Sequence, residues 1–489
     1  MKKNIILFLV VLSISIIVTY PSFPPSHALD SYCTMCNGYY DTGIWFLQNG
    51  RVFSYLLFMI ANSINLSYNA LGFISVLFGN VAISLGIVLL FNELSKKVKF
   101  NNYFYKYLLL LLIFLLYYNP LYTSILVFDE VVIMDLGILF LTLASIVLLR
   151  GGVKNYFISL FLTIIGITCY QGMASYLFVT LFVLIVASKD KFNNVKFYFN
   201  KFILSIINYG LSFVFNLVFI KIINKMFGIS NIKVGAFNIF SNINKIITKL
   251  IPSSLRYLFN YVNVRYYYLL VFISTIILII FILKNNEKIK NIWLMLLLVL
   301  SCLFIPFIPN IFMADASNYT DARMTLTLGI VPVVIILFIL LSFKLGKKYF
   351  YLISCISLVI FLLSFYLIRQ NMLIDLKRYK NDVKYVNNVI SEIDNYEQQY
   401  DKTINTIYYH KDLDSAFYYD FGHPNGVNIR LMAVPWAFEC AFNAVSNNKF
   451  VFEEMNEYKY NAIFYGQDYD EFSKKQLVFD GDSLYLLIY

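Results

Sequence analysis

Residues 103–150 read YFYKYLLLLLIFLLYYNPLYTSILVFDEVVIMDLGILFLTLASIVLLR. Two apolar runs, 103–118 and 131–149, come close to the roughly 17–25 residues a helix needs to cross a bilayer core. The connection between them holds Asn119-Pro120 and Asp129-Glu130, and no Lys or Arg. Proline suits a break between helices, because it lacks the amide donor a helix interior requires. The second run ends on Arg150. The stretch therefore reads as a membrane hairpin with acids at one end and cations at the other.

The rest of the chain follows the same pattern. Of its 489 residues 60% are hydrophobic and only 14% charged, and the mean hydropathy is +0.69. Soluble domains run at about 45–50% apolar and about 25% charged. A single soluble core and a disordered chain are both excluded. Heavy use of Asn, Ile, Lys and Tyr points to an AT-rich, bacterial coding sequence.

Candidate spans are 4–20, 71–91, 103–118, 131–149, 155–169, 172–188, 203–227, 266–283, 291–307, 326–342 and 349–368. Residues 155–188 are too long for one crossing, so they are split at Cys169–Gly172. The expected fold is a polytopic α-helical membrane protein with about 11 transmembrane helices. Lys and Arg cluster at Lys2-Lys3, Lys96–Lys99, Arg150–Lys154, Lys189–Lys196, Lys284–Lys290 and Lys344–Lys348. All these clusters fall on one side, which the positive-inside rule makes cytoplasmic. The expected location is the bacterial inner membrane, with the N-terminus cytoplasmic. A cleaved secretory signal ending near Ser26-His27-Ala28 is the alternative to a retained first helix.

The net charge of +11 is unevenly spread. Residues 1–368 hold 27 Lys and Arg against ten acids, whereas residues 369–489 hold 12 against 18. The basic excess thus serves topology, and no nucleic-acid partner is expected. We divide the chain into a membrane catalytic part, 1–368, whose first outer loop is 21–70, and a small extracytoplasmic α/β domain, 369–489. The expected elements of that domain are an amphipathic helix over 371–399, strands at 403–409, 462–465 and 484–489, and a helix near 429–445.

Six cysteines are spread along the chain. Cys33-x-x-Cys36 lies in the first outer loop. It is compatible with a local disulfide, with two free thiols, or with half a metal site beside His27. No nucleotide-binding or metalloprotease motif is present. No cofactor is expected, and a divalent cation stays open.

The ten acids of residues 1–368 are informative because they are few. Asp30, Asp41, Asp129, Glu130, Asp315 and Asp321 gather at the outer ends of helices, on the side of Arg51 and Arg323. Transport is the first alternative, but transporter charges sit near the midplane. Carboxylates and Arg at an outer face suit sugar transfer from a lipid-linked donor. A carboxylate takes the proton of the attacking hydroxyl, and Arg holds the departing phosphate with paired hydrogen bonds.

Local patterns at these residues resemble the bacterial glucosyl transferase II family, which has C-type glycosyltransferase architecture. They are Asp30-Ser31-Tyr32 followed by Gly50-Arg51, then Asn119-Pro120 with Phe128-Asp129, then Tyr170-Gln171, and Arg323 opening a late helix. The family's second Asp is Ser31 here, and Asp41 is the candidate replacement. The resemblance implies a glucose or related hexose moved from a polyprenyl-phosphate donor to a surface glycan such as O-antigen, by inverting displacement. A small flippase and a donor synthase would be its partners. It implies catalytic roles for Asp30, Asp129 and Asp41, and donor phosphate or sugar binding by Arg51, Arg323, Tyr170 and Gln171. A polysaccharide polymerase or ligase using lipid-linked oligosaccharide is the alternative within enzymes.

Overall fold

A computed structural model describes residues 2–23, 29–98, 103–188, 195–228, 239–252, 272–280, 305–307, 311, 322–343, 345–411, 435–446, 450–467, 469 and 472–488. The chain is mainly helical. Among the described residues six helices are long and apolar enough to cross a membrane: Lys3–Ser22, Tyr68–Ser95, Tyr103–Leu126, Val131–Arg150, Phe199–Met226 and Lys347–Tyr400. Val52–Ser63, Val153–Cys169, Gln171–Ala187 and Leu326–Ser342 are apolar but shorter. The expected spans 266–283 and 291–307 lie largely outside the described residues, which contain only a helical stretch at 272–280 and a short turn at Ile305–Phe307. The protein is embedded in a membrane.

The N-terminal helices are α1 (Lys2–Thr19), α2 (Leu29–Gln48), α3 (Val52–Ser63), α4 (Tyr68–Ser95), α5 (Tyr103–Tyr117), α6 (Thr123–Leu126) and α7 (Val131–Arg150). They are followed by α8 (Val153–Cys169), α9 (Ser175–Ala187), α10 (Val195–Met226) and α11 (Ile239–Lys245). The first outer loop is therefore not a loop. Its residues fold into α2, kinked at Gly38, and the apolar α3, which packs on it.

Between α7 and α8 stand Gly151 and Gly152, with φ of 78° and 86°, a left-handed pair that lets the chain reverse at once. The two helices then cross closely. A Cβ on Gly166 would lie 2.7 Å from Leu141 Cγ, and one on Gly137 would lie 3.2 Å from the Gly166 carbonyl. Small residues at such a crossing let backbones approach in lipid. The expected break near residue 170 is present: Tyr170 is extended, at φ −160° and ψ 118°, and a 3-10 turn, Gln171–Ala174, leads into α9.

Several polar side chains inside the bundle pair with one another, as the lipid surroundings favour. Tyr118 donates to Asn80 Oδ1 at 2.7 Å, and Asn80 donates to Thr19 Oγ1 at 2.9 Å. Ser15 and Ser84 share a bond of 3.2 Å. Tyr122 donates to Asp135 Oδ2 at 2.8 Å. A Cβ on Gly79 would come within 2.3 Å of the same oxygen, so this glycine makes room for the carboxylate.

A 3-10 run, Ala322–Ile330, leads into α12 (Val331–Ser342). Gly329 in that run presses against Asn119, which caps the turn after α5 by accepting from the Leu121 amide at 3.0 Å. Helix α13 (Lys347–Tyr400) follows and is 54 residues long, roughly 80 Å at the α-helical rise. It runs unbroken through residue 368. Its first half is apolar, whereas its second half buries Asp375, Arg378, Asp382, Tyr385, Val386, Val389 and Ile393, one stripe at helical spacing. Asp401, at φ 50°, ends it.

Strands β1 (Thr406–Lys411), β2 (Val451–Glu454), β3 (Leu477–Asp480) and β4 (Ser483–Ile488) form a sheet in the order β2-β1-β4-β3. The β1 strand runs parallel to both β2 and β4, and β3 closes an antiparallel hairpin with β4 through Gly481. Helix α14 (Pro435–Val445) covers one side, and α15 (Glu457–Phe464) follows β2. The expected strand at 462–465 is thus a correction. Asn456 accepts from the Lys459 amide at 2.8 Å and starts a helix there, so Phe464 packs from a helix against Tyr485 and Leu487. The neighbour of β4 is supplied by 477–480 instead. Residues 412–434, which include the start of the expected 429–445 helix, lie outside the described residues.

One core ties this sheet to the first outer segment. Tyr32 of α2 shares it with Tyr385 and Val386 of α13, Phe438 and Phe442 of α14, and Ile407, Leu484 and Leu486 of the sheet.

Candidate active site

Helix α2 and the turn before α7 enclose a cavity of about 420 Å³. Thr34, Asn37, Asp41, Thr42, Trp45 and Phe46 line it from α2, and Asp129 and Glu130 close it from the α7 side. Asp41 is exposed on the wall, whereas Asp129 and Glu130 are buried.

The bundle positions Asp129 from several directions. Ser75 of α4 donates to its main-chain carbonyl at 2.5 Å. Gly72, one turn earlier, leaves space beside its carboxylate, where a Cβ would stand 3.5 Å from Oδ1. Tyr39, Tyr68 and Tyr379 lie within electrostatic reach of its charge. Burial, and after it the Asp129 carboxylate, push the Tyr39 phenol well above its ordinary range. Tyr39 is therefore neutral at physiological pH, and its hydroxyl donates to the Leu66 carbonyl at 2.9 Å.

Arg51 opens α3 directly after Gly50, at a turn only glycine allows. Gly50 has φ 76°, and a Cβ there would stand 2.4 Å from Asn216 Oδ1 and 2.9 Å from Ile220. Asn216 donates to the Gly50 carbonyl at 3.0 Å. Gln171 donates to the Asn49 carbonyl at 2.9 Å and to Asn216 Oδ1 at 3.3 Å. The Gln171 amide is thus engaged in holding this turn. The guanidinium carbon of Arg51 stands 4.6 Å from the Tyr170 ring centre, 5.5 Å from Phe46 and 5.9 Å from Trp45. Its Nη1 is 4.0 Å from Glu130 Oε1. Aromatic rings hold a planar cation by its face and leave its edges for anions.

The structure therefore brings Asp41, Asp129, Arg51 and Tyr170 to one region and sets Gln171 behind Arg51. Asp30 lies in the first turn of α2 and Arg323 in the 3-10 run before α12, and the side chains of both are outside the described residues. Asp315 and Asp321 are outside them too. Glu130 stands at the N-cap position of α7, and its carboxylate also faces Arg51. The helix expected over 371–399 is present as the second half of α13, but its stripe of buried charges is not part of that expectation. Arg378 pairs with Asp375 at 3.3 Å, and Asp382 and Arg378 stand close to Tyr32. Burial, then Asp382, drive the Tyr32 phenol far above its ordinary range. The spacing 375, 378, 382 was the available signal, since it places three charges on one helical face.

A cavity with carboxylates, an aromatic wall and a stacked cation can accept sugar hydroxyls, pack a sugar ring and meet an anion. Comparison with known proteins agrees with that chemistry. No curated protein and no solved structure matches the chain. The family described as Glucosyl transferase GtrII matches residues 25–331, more than half of the chain. That range includes every cavity-lining residue and Arg51, Tyr170 and Gln171. The chain belongs to the GtrII glucosyl transferase family and is a membrane-embedded glycosyltransferase.

Proposed function

We propose that the protein moves glucose, or a related hexose, from a polyprenyl-phosphate donor to a surface glycan such as O-antigen, on the extracytoplasmic face of the inner membrane. The observation that carries this is the cavity bounded by Asp41 and Asp129, with Arg51 stacked on Tyr170 beside it. The acceptor hydroxyl attacks the anomeric carbon from the face opposite the phosphate. The new C–O bond forms as the C–O bond to phosphate breaks, and the configuration inverts. The phosphate leaves with the electron pair, and its charge is met by Arg51, with Arg323 as the second cation. Asp41 takes the acceptor proton, because it lines the cavity and is open to solvent. Asp129 fixes sugar hydroxyls. Asp30, on the same helix as Asp41, is the second candidate base. Tyr170 holds Arg51, and Gln171 acts through the Asn49–Gly50 turn. A leaving group with a single phosphate needs a divalent cation less than a nucleotide diphosphate does, and a cation stays open.

Helix α7 supports the choice of face. It begins beside Asp129 and Glu130 and ends at Arg150, which lies 3.7 Å from Glu93, itself paired with Lys96. Its 20 residues span roughly 30 Å, the thickness of a hydrocarbon core. The carboxylate cavity and the cation cluster thus occupy opposite ends of one crossing. With the cations cytoplasmic, the cavity is outside, and so is the sheet unit that shares the Tyr32 core. In this reading residues 1–368 are catalytic and 369–489 form the outer domain, and a small flippase and a donor synthase supply the donor. Among the described residues the transporter reading can cite Asp135 inside the bundle, but that residue is 1% exposed and its carboxylate accepts from Tyr122.

The test is transfer of radiolabelled glucose from polyprenyl-phosphate glucose to lipid-linked glycan by the purified protein in liposomes. Transfer by the wild type and its loss in Asp41→Asn and Asp129→Asn are expected. Equal transfer in both variants refutes the assignment.

A further inference from the structure

Three thiols meet where α2 contacts α14. Cys33 Sγ lies 3.5 Å from Cys440 Sγ, across 407 positions of sequence. Cys36, one helical turn beyond Cys33, is also within hydrogen-bonding reach of Cys440. Cys440 is buried, Cys33 half-buried and Cys36 exposed. The surroundings are fixed by packing, since Tyr32 and Phe438 share the core on either side and α14 rests along α2. Among the described residues no group of three His, Cys, Asp or Glu is placed to hold a metal. The Cys33-x-x-Cys36 motif thus points at a third cysteine, while His27 lies outside the described residues.

We propose that Cys33 and Cys440 are joined by a disulfide in the mature protein, a staple between the cavity-lining helix and the C-terminal sheet unit, with Cys36 as the entry thiol. The staple rests on the extracytoplasmic placement proposed above, because disulfides persist only in an oxidising compartment. Two sulfur atoms already in contact need only side-chain rotation and a small approach to reach bonding distance. The oxidant is a protein disulfide of that compartment. The exposed Cys36 thiolate attacks it and forms a mixed disulfide. Exchange passes the bond to Cys33 and then to Cys440, and Cys36 is released as a thiol. In the net reaction two thiols lose two protons and two electrons, and the oxidant leaves as a dithiol. Hydrogen bonding with Cys33, and then burial, raise the Cys440 thiol well above its usual range, so the first attack comes from α2. The consequence is mechanical. Cys33 also lines the cavity, so the bond ties the wall that carries Asp41 to the outer domain.

The test is peptide mapping. Cells are treated with N-ethylmaleimide before lysis, and the protein is purified without reductant, digested and analysed by mass spectrometry. A peptide linking residues 33 and 440 is expected, with Cys36 alkylated. Cys36→Ser should retain the link after longer expression, and Cys440→Ser should lose it and leave Cys33 alkylated or bonded to Cys36. If Cys440→Ser fails to accumulate, the wild-type map still decides. A wild-type link between Cys33 and Cys36, or three alkylated thiols, overturns the staple. Thiols that are free in cells but join on addition of oxidised glutathione to membranes also overturn it and place that face in a reducing compartment. Glucosyl transfer is measured on the same membranes. Transfer with free thiols sinks the staple alone, whereas a 33–440 link without transfer sinks the functional assignment alone.

Discussion

Replacing Arg51 by Ala removes the cation that we propose meets the donor phosphate beside the cavity. The guanidinium is 4.6 Å from the Tyr170 ring centre and has Phe46 and Trp45 within 6 Å, which is a partly desolvated cation–π site. Such contacts are worth about 0.5–2 kcal/mol. A hydrogen bond to a charged partner adds about 1.5–3 kcal/mol when the phosphate is bound. The 4.0 Å approach to Glu130 is long and contributes little by comparison. Arg51→Ala should therefore cost about 2–5 kcal/mol of transition-state stabilisation, or roughly 30- to 5,000-fold in kcat/KM. Arg51→Lys keeps the charge but loses the planar stack, so only the cation–π part is forfeited. Its expected loss is about 3- to 30-fold. The assay is initial-rate glucosyl transfer in liposomes at varied donor concentration, with circular dichroism and size exclusion to verify folding. A well-folded Arg51→Ala protein within threefold of wild type would refute the phosphate-holding role. A Lys variant as weak as Ala would show that geometry, not charge, is what Arg51 supplies.

Gly50→Ala should lower the melting temperature and transfer together, because the left-handed turn costs about 1–3 kcal/mol for any other residue and the new Cβ displaces Asn216; thermal melting in detergent checks it, and an unchanged melt contradicts it. Tyr118→Phe leaves Asn80 Oδ1 without its donor and should destabilise the protein by about 1 kcal/mol with no change in donor KM, measured by the same melt and by kinetics. Single cysteines introduced at residue 402 and at residue 154 should react with membrane-impermeant maleimide from opposite sides, the first from outside; labelling of both from one side would contradict the topology.

The bundle was largely readable because lipid imposes a coarse rule, an apolar run of sufficient length. The hairpin at 131–169 and the break at Tyr170 follow from that rule and from glycine and chain length. Residues 29–63 were not readable as helices. Polar residues such as Asp41, Thr42 and Asn37 interrupt the apolar pattern because they face a cavity rather than lipid or core. Asp129 was visible as a rare acid at a helix end, but Glu130 as the partner of Arg51 depends on a fold-back across 79 positions. The motif Gly50-Arg51 was noticed without its reason, which is a left-handed turn pinned by Asn216 and Gln171. The strand at 477–480 lost to 462–465 in the sequence pattern because four-residue runs carry little periodicity, and the Asn456 cap was not weighed. The meeting of Cys33 with Cys440 is purely tertiary and leaves no local trace.

We propose that carboxylates at the cavity between α2 and α7 catalyse transfer of glucose from a polyprenyl-phosphate donor. The most direct measurement is a single-turnover reaction of enzyme in excess over radiolabelled polyprenyl-phosphate glucose, comparing wild type with Asp41→Asn and Asp129→Asn. Glucose on the acceptor with inverted anomeric configuration is expected in the wild type, and transfer slowed at least about 100-fold in each variant, as for loss of a general base or of a transition-state contact. Transfer at the wild-type rate in both variants, or no transfer from this donor by a well-folded wild type, would contradict it.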